Sequence, residues 1–138
     1  MSPINLLDQN MQMLSKVLDL RATKAQVISS NIANAETPGF SASRFQFEDE
    51  LANALGNKKG IQLQTSNKAH IPLGPGNFHN ISGKIILDEE QSGIGDDNNV
   101  SVDMEMMALS ENELLYETSA QLLKKKITLL KHVISGGQ

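Results

Sequence analysis

Ser29-Ser30-Asn31-Ile32-Ala33-Asn34-Ala35-Glu36-Thr37-Pro38-Gly39-Phe40 sets the end of the first long element in this 138-residue chain. Pro38 lacks the backbone N–H that a helix would need, and its ring clashes with the preceding turn. Gly39 directly after it suits the positive φ at the third position of a type II turn. A helix arriving at this stretch therefore stops near Asn34 and the chain turns aside.

Upstream, residues 3 to about 33 read as that helix. Ser2 is a candidate cap, and Pro3 sits at the first helical position, where a missing N–H costs nothing. Leu7, Met11, Leu14, Leu18, Ala25, Ile28 and Ile32 recur at alternating spacings of four and three, with Arg21 the one charge on the seam. That is a heptad stripe, the pattern that lays one helix along another. Met13, Val17, Leu20 and Val27 form a second stripe beside it.

The far end of the chain repeats the design. Ser101 is the expected cap, and Asp103 and Glu105 in the first turn suit the helix dipole. Val102, Met106, Leu109, Tyr116, Ala120, Leu123, Ile127, Leu130 and Ile134 make the expected seam, interrupted by Glu113. Ala108, Leu115, Leu122 and Leu129 run alongside at seven-residue spacing. Lys124, Lys125, Lys126, Lys131 and His132 lie toward the carboxyl end, and Gly136-Gly137 closes the helix. Each helix is expected to reach about 45 Å at 1.5 Å per residue. The fold class is therefore mainly α: long terminal helices in a coiled-coil hairpin, around a small irregular middle with short β elements.

The boundaries that follow are 1–35, 36–100 and 101–138. In the middle, Phe47 to Leu55 reads as a short helix ended by Gly56. Ile61 to Thr65 alternates as a strand, with Lys84 to Leu87 as its expected partner. His70 to Gly76 and Gly93 to Asn99 are loop material.

Composition bounds the function. Hydrophobic residues are 39% and aromatics 4%, so the expected core is modest and mostly aliphatic. Twelve basic against sixteen acidic side chains give a net charge of -4, which argues against a polyanion-binding surface. The Lys124-Lys125-Lys126 run has no aromatic platform beside it and reads as a solvated face. With no cysteine, thiolate chemistry is excluded. His70, His79 and His132 are far apart, and a site from His70 and His79 with Asp88 or Glu89 lacks ligand spacing. Asp96-Asp97-Asn98-Asn99 lacks the Gly and closing Glu of a calcium loop. No nucleophile elbow or phosphate-cradling loop is present, so neither catalytic nor cofactor-binding residues are assigned. The first ten residues carry no cleavable secretory signal of the usual kind, and no apolar run approaches the ~20 residues of a membrane span.

A two-helix hairpin buries one stripe on each helix. Leu115, Leu122 and Leu129, with Met13, Val17 and Leu20, then need another cover, and apolar patches of that length mark interaction surfaces. A helical partner or self-assembly is the expectation.

The stretch quoted at the outset also resembles the signature of bacterial flagellar rod and hook proteins, in the order Asn-hydrophobic-Ala-Asn-Ala/Asn-x-Thr-Pro-Gly-aromatic. Asn31, Ala33, Asn34, Thr37, Pro38, Gly39 and Phe40 carry it. Leu20-Arg21-Ala22, Arg44 to Leu51, Thr65 to Ile71, Val100 to Met106 and Asn112 to Glu117 are similar to the proximal-rod branch. The likeness spans the chain and is loosest from Leu73 to Asn99. It implies a structural subunit that stacks helically in the flagellar basal-body rod, with terminal helices lining a tube that transmits torque and conducts export. Implied neighbours are copies of itself, a FlgC-type second proximal rod protein, a FliE-type adaptor, the membrane ring and export gate, and other rod proteins. Implied delivery is through the flagellar type III apparatus into the periplasm. The alternatives are another axial rod protein of FlgC type, or a helical adaptor that does not polymerise.

Overall fold

Two helices of 31 and 33 residues dominate the molecule: α1, Pro3–Ala33, and α3, Val102–Ile134. The computed structural model describes residues 3–56, 78–88 and 98–136, excluding the side chains of residues 3–8 and of His79. Between the long helices lie β1 (Ser43–Gln46), α2 (Glu48–Ala54), a single 3-10 turn (Phe78–Asn80) and β2 (Lys84–Leu87). The expected strand at Ile61–Thr65, the loop at His70–Gly76, the end segments Ser2 and Gly137, and most of the Gly93–Asn99 connection lie outside the described residues.

The helices run antiparallel. Asn31 near the end of α1 meets Glu105 near the start of α3, and Arg21 meets Asn112 one heptad further along. Nearer the other end, Met11 and Leu123 line a common groove. α1 stops where Pro38 and Gly39 require. Phe40 donates its N–H to the Thr37 carbonyl at 3.2 Å across that pair, and Gly39 has φ +72°, the geometry of a type II turn. Ser101 occupies the N-cap position of α3, yet its hydroxyl makes no capping hydrogen bond; its carbonyl accepts from Glu105 N–H at 2.9 Å.

β2 forms a strand as expected, but among the described residues its partner is β1. The pairing is antiparallel, with Ser43 opposite Leu87 and Phe45 opposite Ile85. β1 follows directly from the turn after α1, so the sheet is built against the helix that precedes it. Phe45 points inward from β1, and its neighbours Arg44 and Gln46 are exposed.

The core differs from expectation in chemistry and in reach. Three of the four Phe residues, Phe45, Phe47 and Phe78, pack with Leu20 and Ile81, against partly buried Met13, Val27, Leu51 and Ala54. The centre is aromatic, with the Phe45 and Phe47 rings 5.7 Å apart. Gly83, at φ +68°, lets the turn before β2 pass over the Phe45 ring, where a Cβ would collide with it. The Glu50 carboxylate accepts from the N–H groups of Ser82 and Gly83 at 3.2 and 3.1 Å, tying α2 to this turn. The middle segment thus packs against Leu20, Met13 and Val27 of the second stripe of α1.

Candidate assembly surface

The amide residues of the signature form a clamp. Asn31 is fully buried on α1; its Nδ2 donates to the Ser43 carbonyl at 2.8 Å and to the Glu105 carboxylate at 3.0 Å. Its Oδ1 accepts from Ser43 N–H at 2.9 Å. One side chain therefore pairs with a backbone residue of β1 as a neighbouring strand would, and also holds α3. Asn34 donates back to the Ser30 carbonyl at 2.8 Å and accepts from the Thr37 hydroxyl at 3.2 Å. Ala33 ends the helix, Pro38 and Gly39 lie exposed in the turn, and Phe40 is half-buried.

Two residues outside the expected set complete the clamp. Asn98 Nδ2 lies 3.0, 2.8 and 2.8 Å from the carbonyls of Asn34, Ala35 and Thr37, in the turn that follows α1. Asn99 accepts from Ala42 N–H and donates to the Asp88 carbonyl, both at 2.7 Å. By sequence both asparagines belong to a stretch of loop material. Their side-chain amides, directly before an α3 whose cap is otherwise weak, were the available signal.

Along the hairpin, the described residues of the expected α1 seam are buried or half-buried. Ile28 is buried, and Met11, Leu14, Leu18, Ala25 and Ile32 are half-buried; the Leu7 side chain is outside the described set. On α3 the seam is rotated by about one residue. Leu109, Ala120, Leu123 and Leu130 are half-buried, but Met106, Tyr116, Ile127 and Ile134 are exposed, as is Val102. The positions turned most deeply inward are Glu105, at 2% exposure, and Asn112, at 3%. Hydrogen bonding explains the rotation. Asn112 Nδ2 donates to the Arg21 carbonyl at 2.9 Å, and Arg21 Nη1 donates to Asn112 Oδ1 at 3.3 Å. Glu105 accepts from Asn31 and faces the Arg44 guanidinium at 3.5 Å. A buried polar group must be paired, so these residues face inward and the apolar stripe turns out.

The second expected stripe divides. Leu115, Leu122 and Leu129 are exposed. Val17 and Leu20 are buried within the chain and Met13 is half-buried. Leu20 and Met13 owe this to the Phe-rich cap, so these three positions of α1 are not an open surface. The α3 face also exposes Met104, Met107, Leu114 and Val133.

A groove of about 750 Å³ separates β1 and α2 from the two long helices, and its lining includes Arg21, Lys24, Glu48 and Glu111. Its charges serve one another. Burial draws the Arg21 guanidinium below its ordinary range, while Glu48 and Glu111 act in the opposite sense. Arg21 also stacks over the Phe47 ring at 5.5 Å. For Glu48, burial raises the pKa, but the hydrogen bond from Lys24, the N–H groups of Phe47 and Glu48, and the Lys24 charge outweigh it, and the net shift is downward. Among the described residues no three His, Asp or Glu side chains converge as metal ligands, and no helix is long and apolar enough to cross a membrane.

This geometry combines a helix-ending amide clamp, a polar interior seam and a long exposed apolar helix face. The family model for flagella basal body rod proteins matches residues 18–40, the end of α1 with its clamp and turn. A flagellar basal body rod protein FlgB from Aeromonas hydrophila is 35% identical over 126 residues, covering 88% of this chain and 89% of its own length. The FlgB of Cereibacter sphaeroides is 35% identical over 122 residues, covering 88% and 91%. That of Proteus mirabilis is 27% identical over 135 residues, covering 95% and 97%. With a third of the residues shared along nearly the whole chain, and Asn31 and Asn34 inside the matched segment, this chain belongs to the FlgB family of flagellar basal body rod proteins.

Proposed function

We propose that this chain is a structural subunit of the proximal rod, assembling helically around the export conduit and passing torque along the shaft. Membership of the family makes it a structural protein of the basal body; the proximal position, periplasmic setting and delivery through the type III apparatus are the proposal. The observation that carries it is the outward apolar face of α3. Leu122 and Leu129 are more than half exposed on a helix whose inward positions are partly polar. Burying one such side chain contributes on the order of 2 kcal/mol, so a row of them favours association strongly. Proposed neighbours are copies of this chain, a FlgC-type rod protein, a FliE-type adaptor with the ring and export gate, and further rod proteins. A FlgC-type role and a non-polymerising adaptor are the readings set aside.

The test is Leu122→Glu or Leu129→Glu in flagellated cells. The expected result is loss of swimming with the variant still exported, because neither side chain supports the fold. Normal swimming by both variants contradicts the proposal.

A further inference from the structure

The two edges of the β1–β2 sheet are finished differently. On β1 the Asn31 side chain meets both backbone groups of Ser43, donating to its carbonyl at 2.8 Å and accepting from its N–H at 2.9 Å. Ser43 therefore turns its backbone groups away from β2, and its register partner Leu87 turns its own away from β1. The Asp88 N–H donates to the Ala42 carbonyl at 2.8 Å, which puts an inward-bonding pair one step further along, as antiparallel alternation requires. By the same alternation the backbone groups of Ile86 point to β1 and those of Ile85 point outward. Among the described residues, the outward N–H and C=O groups of Ile85 and Leu87 have no hydrogen-bond partner.

What this edge presents is apolar. Ile85, Ile86 and Leu87 are 63%, 44% and 60% exposed, and neither a charge nor a proline interrupts them. Those are the devices that keep an edge strand from pairing with another chain. β1 is the strand packed on α1, so β2 is the outer one and its edge faces away from the helix.

The strand is self-complementary about Ile86. Turned end for end against itself, it sets Ile85 opposite Leu87 and Leu87 opposite Ile85. Each of these pairs exchanges two backbone hydrogen bonds. Ile86 then meets Ile86, and Lys84 meets Asp88, at the positions where cross-strand side chains stand closest. Arg44 donates to Asp88 Oδ2 at 3.0 Å and leaves Oδ1 for that lysine. Lys84 makes no ion pair among the described residues.

We infer that the outer edge of β2 is a two-fold contact with a second copy of this chain, extending the sheet to four antiparallel strands in the order β1-β2-β2-β1. Asn31 blocks the edge of β1, so a second copy meets β2 only with its own β2. A two-fold contact closes at two copies and does not propagate. It therefore belongs to the free chain, goes beyond the rod assembly proposed above, and stands or falls apart from it. Strands of four residues bury far less than the ~1,200 Å² of ordinary stable interfaces, so the dimer is weak and reversible.

The test uses the purified full-length chain. Sedimentation is expected to pass from monomer toward dimer as concentration rises from ~10 μM toward ~1 mM, the range of weak complexes. Lys84→Glu sets a carboxylate against Asp88 of the second copy at both ends of the contact. It should raise the dissociation constant about fivefold without changing the melting temperature of the monomer. A chain monomeric throughout, or a dimer indifferent to Lys84→Glu, overturns the inference; the second result marks a contact through another face. The chain has no cysteine, so introduced ones report without background. Ile86→Cys stands on the two-fold axis, where opposed Cα atoms about 4.5 Å apart admit a disulfide. Mild oxidation is expected to give a covalent dimer from Ile86→Cys and none from Ile85→Cys, which faces Leu87. The reverse pattern contradicts the register. An edge filled by any other strand gives no Ile86→Cys dimer, which also overturns the contact.

Discussion

The Asn31 side-chain amide lies 3.0 Å from the Glu105 carboxylate, a buried contact that ties the end of α1 to the beginning of α3. The same amide satisfies both backbone groups of Ser43, so a single residue sets helix, strand and hairpin relative to one another. This explains why an asparagine, and not merely a small residue, stands at the start of the signature.

Asn31→Ala removes these bonds and leaves the Glu105 charge without its amide partner in the interior. A loss of ~3 kcal/mol is expected, from several unmade bonds of about 1–3 kcal/mol each, read as a lower urea midpoint. Asn31→Asp places two carboxylates together. One of them must then hold a proton, so its folded pKa is raised. The variant's stability should fall as pH rises through and above the carboxylate range. A variant as stable as the parent at neutral pH contradicts the clamp.

Glu48 has the opposite sign. Its pKa is lowered in the folded chain, chiefly through Lys24 against the effect of burial. Its contribution is present above the ordinary carboxylate range and is lost as pH falls through the folded value. The Glu48 side chain is half exposed, so the contribution belongs to the ~0.2–1 kcal/mol class of surface pairs. Lys24→Met should lower stability at pH 7, and the difference from the parent should shrink toward pH 3 in denaturant titrations.

Glycine is needed at two turns for different reasons. Gly39→Ala meets nothing within 4 Å and carries only the strain of φ +72°, about 1 kcal/mol. Gly83→Ala carries the same strain and also drives a methyl group into the Phe45 ring, so it should cost more, ~2–4 kcal/mol, since overpacking adds about 1–3 kcal/mol. Thermal unfolding of the pair orders them; equal melting temperatures contradict the close approach.

Leu20→Ala and Leu122→Ala separate the two kinds of apolar residue. Leu20, 4% exposed in the Phe-rich core, should cost ~2–5 kcal/mol. Leu122 should leave the unfolding of the lone chain within about 0.5 kcal/mol, as at other exposed positions.

The long helices, their antiparallel pairing and the turn at Pro38-Gly39 were legible because periodicity and backbone stereochemistry are local. The strand at Ser43–Gln46 was not, since only Phe45 marks its inward face and its alignment comes from Asn31, twelve residues away. The rotation of α3 was hidden for a related reason. Its apolar residues fit several seams, and the selection is made by Glu105 and Asn112 reaching partners on other elements. The covering of Met13 and Leu20 is not visible in sequence because the aromatic cap over α1 is scattered through the middle of the chain. Leu115, Leu122 and Leu129 were legible as surplus because a two-helix hairpin buries one stripe on each helix.

The most direct measurement is a density map of an intact basal body with this chain traced in it. Leu115, Leu122 and Leu129 are expected to pack against a neighbouring subunit, with the Asn31–Glu105 clamp preserved inside each protomer. Finding those leucines bare toward solvent or the channel, with subunits joined through other faces, would contradict the proposed assembly.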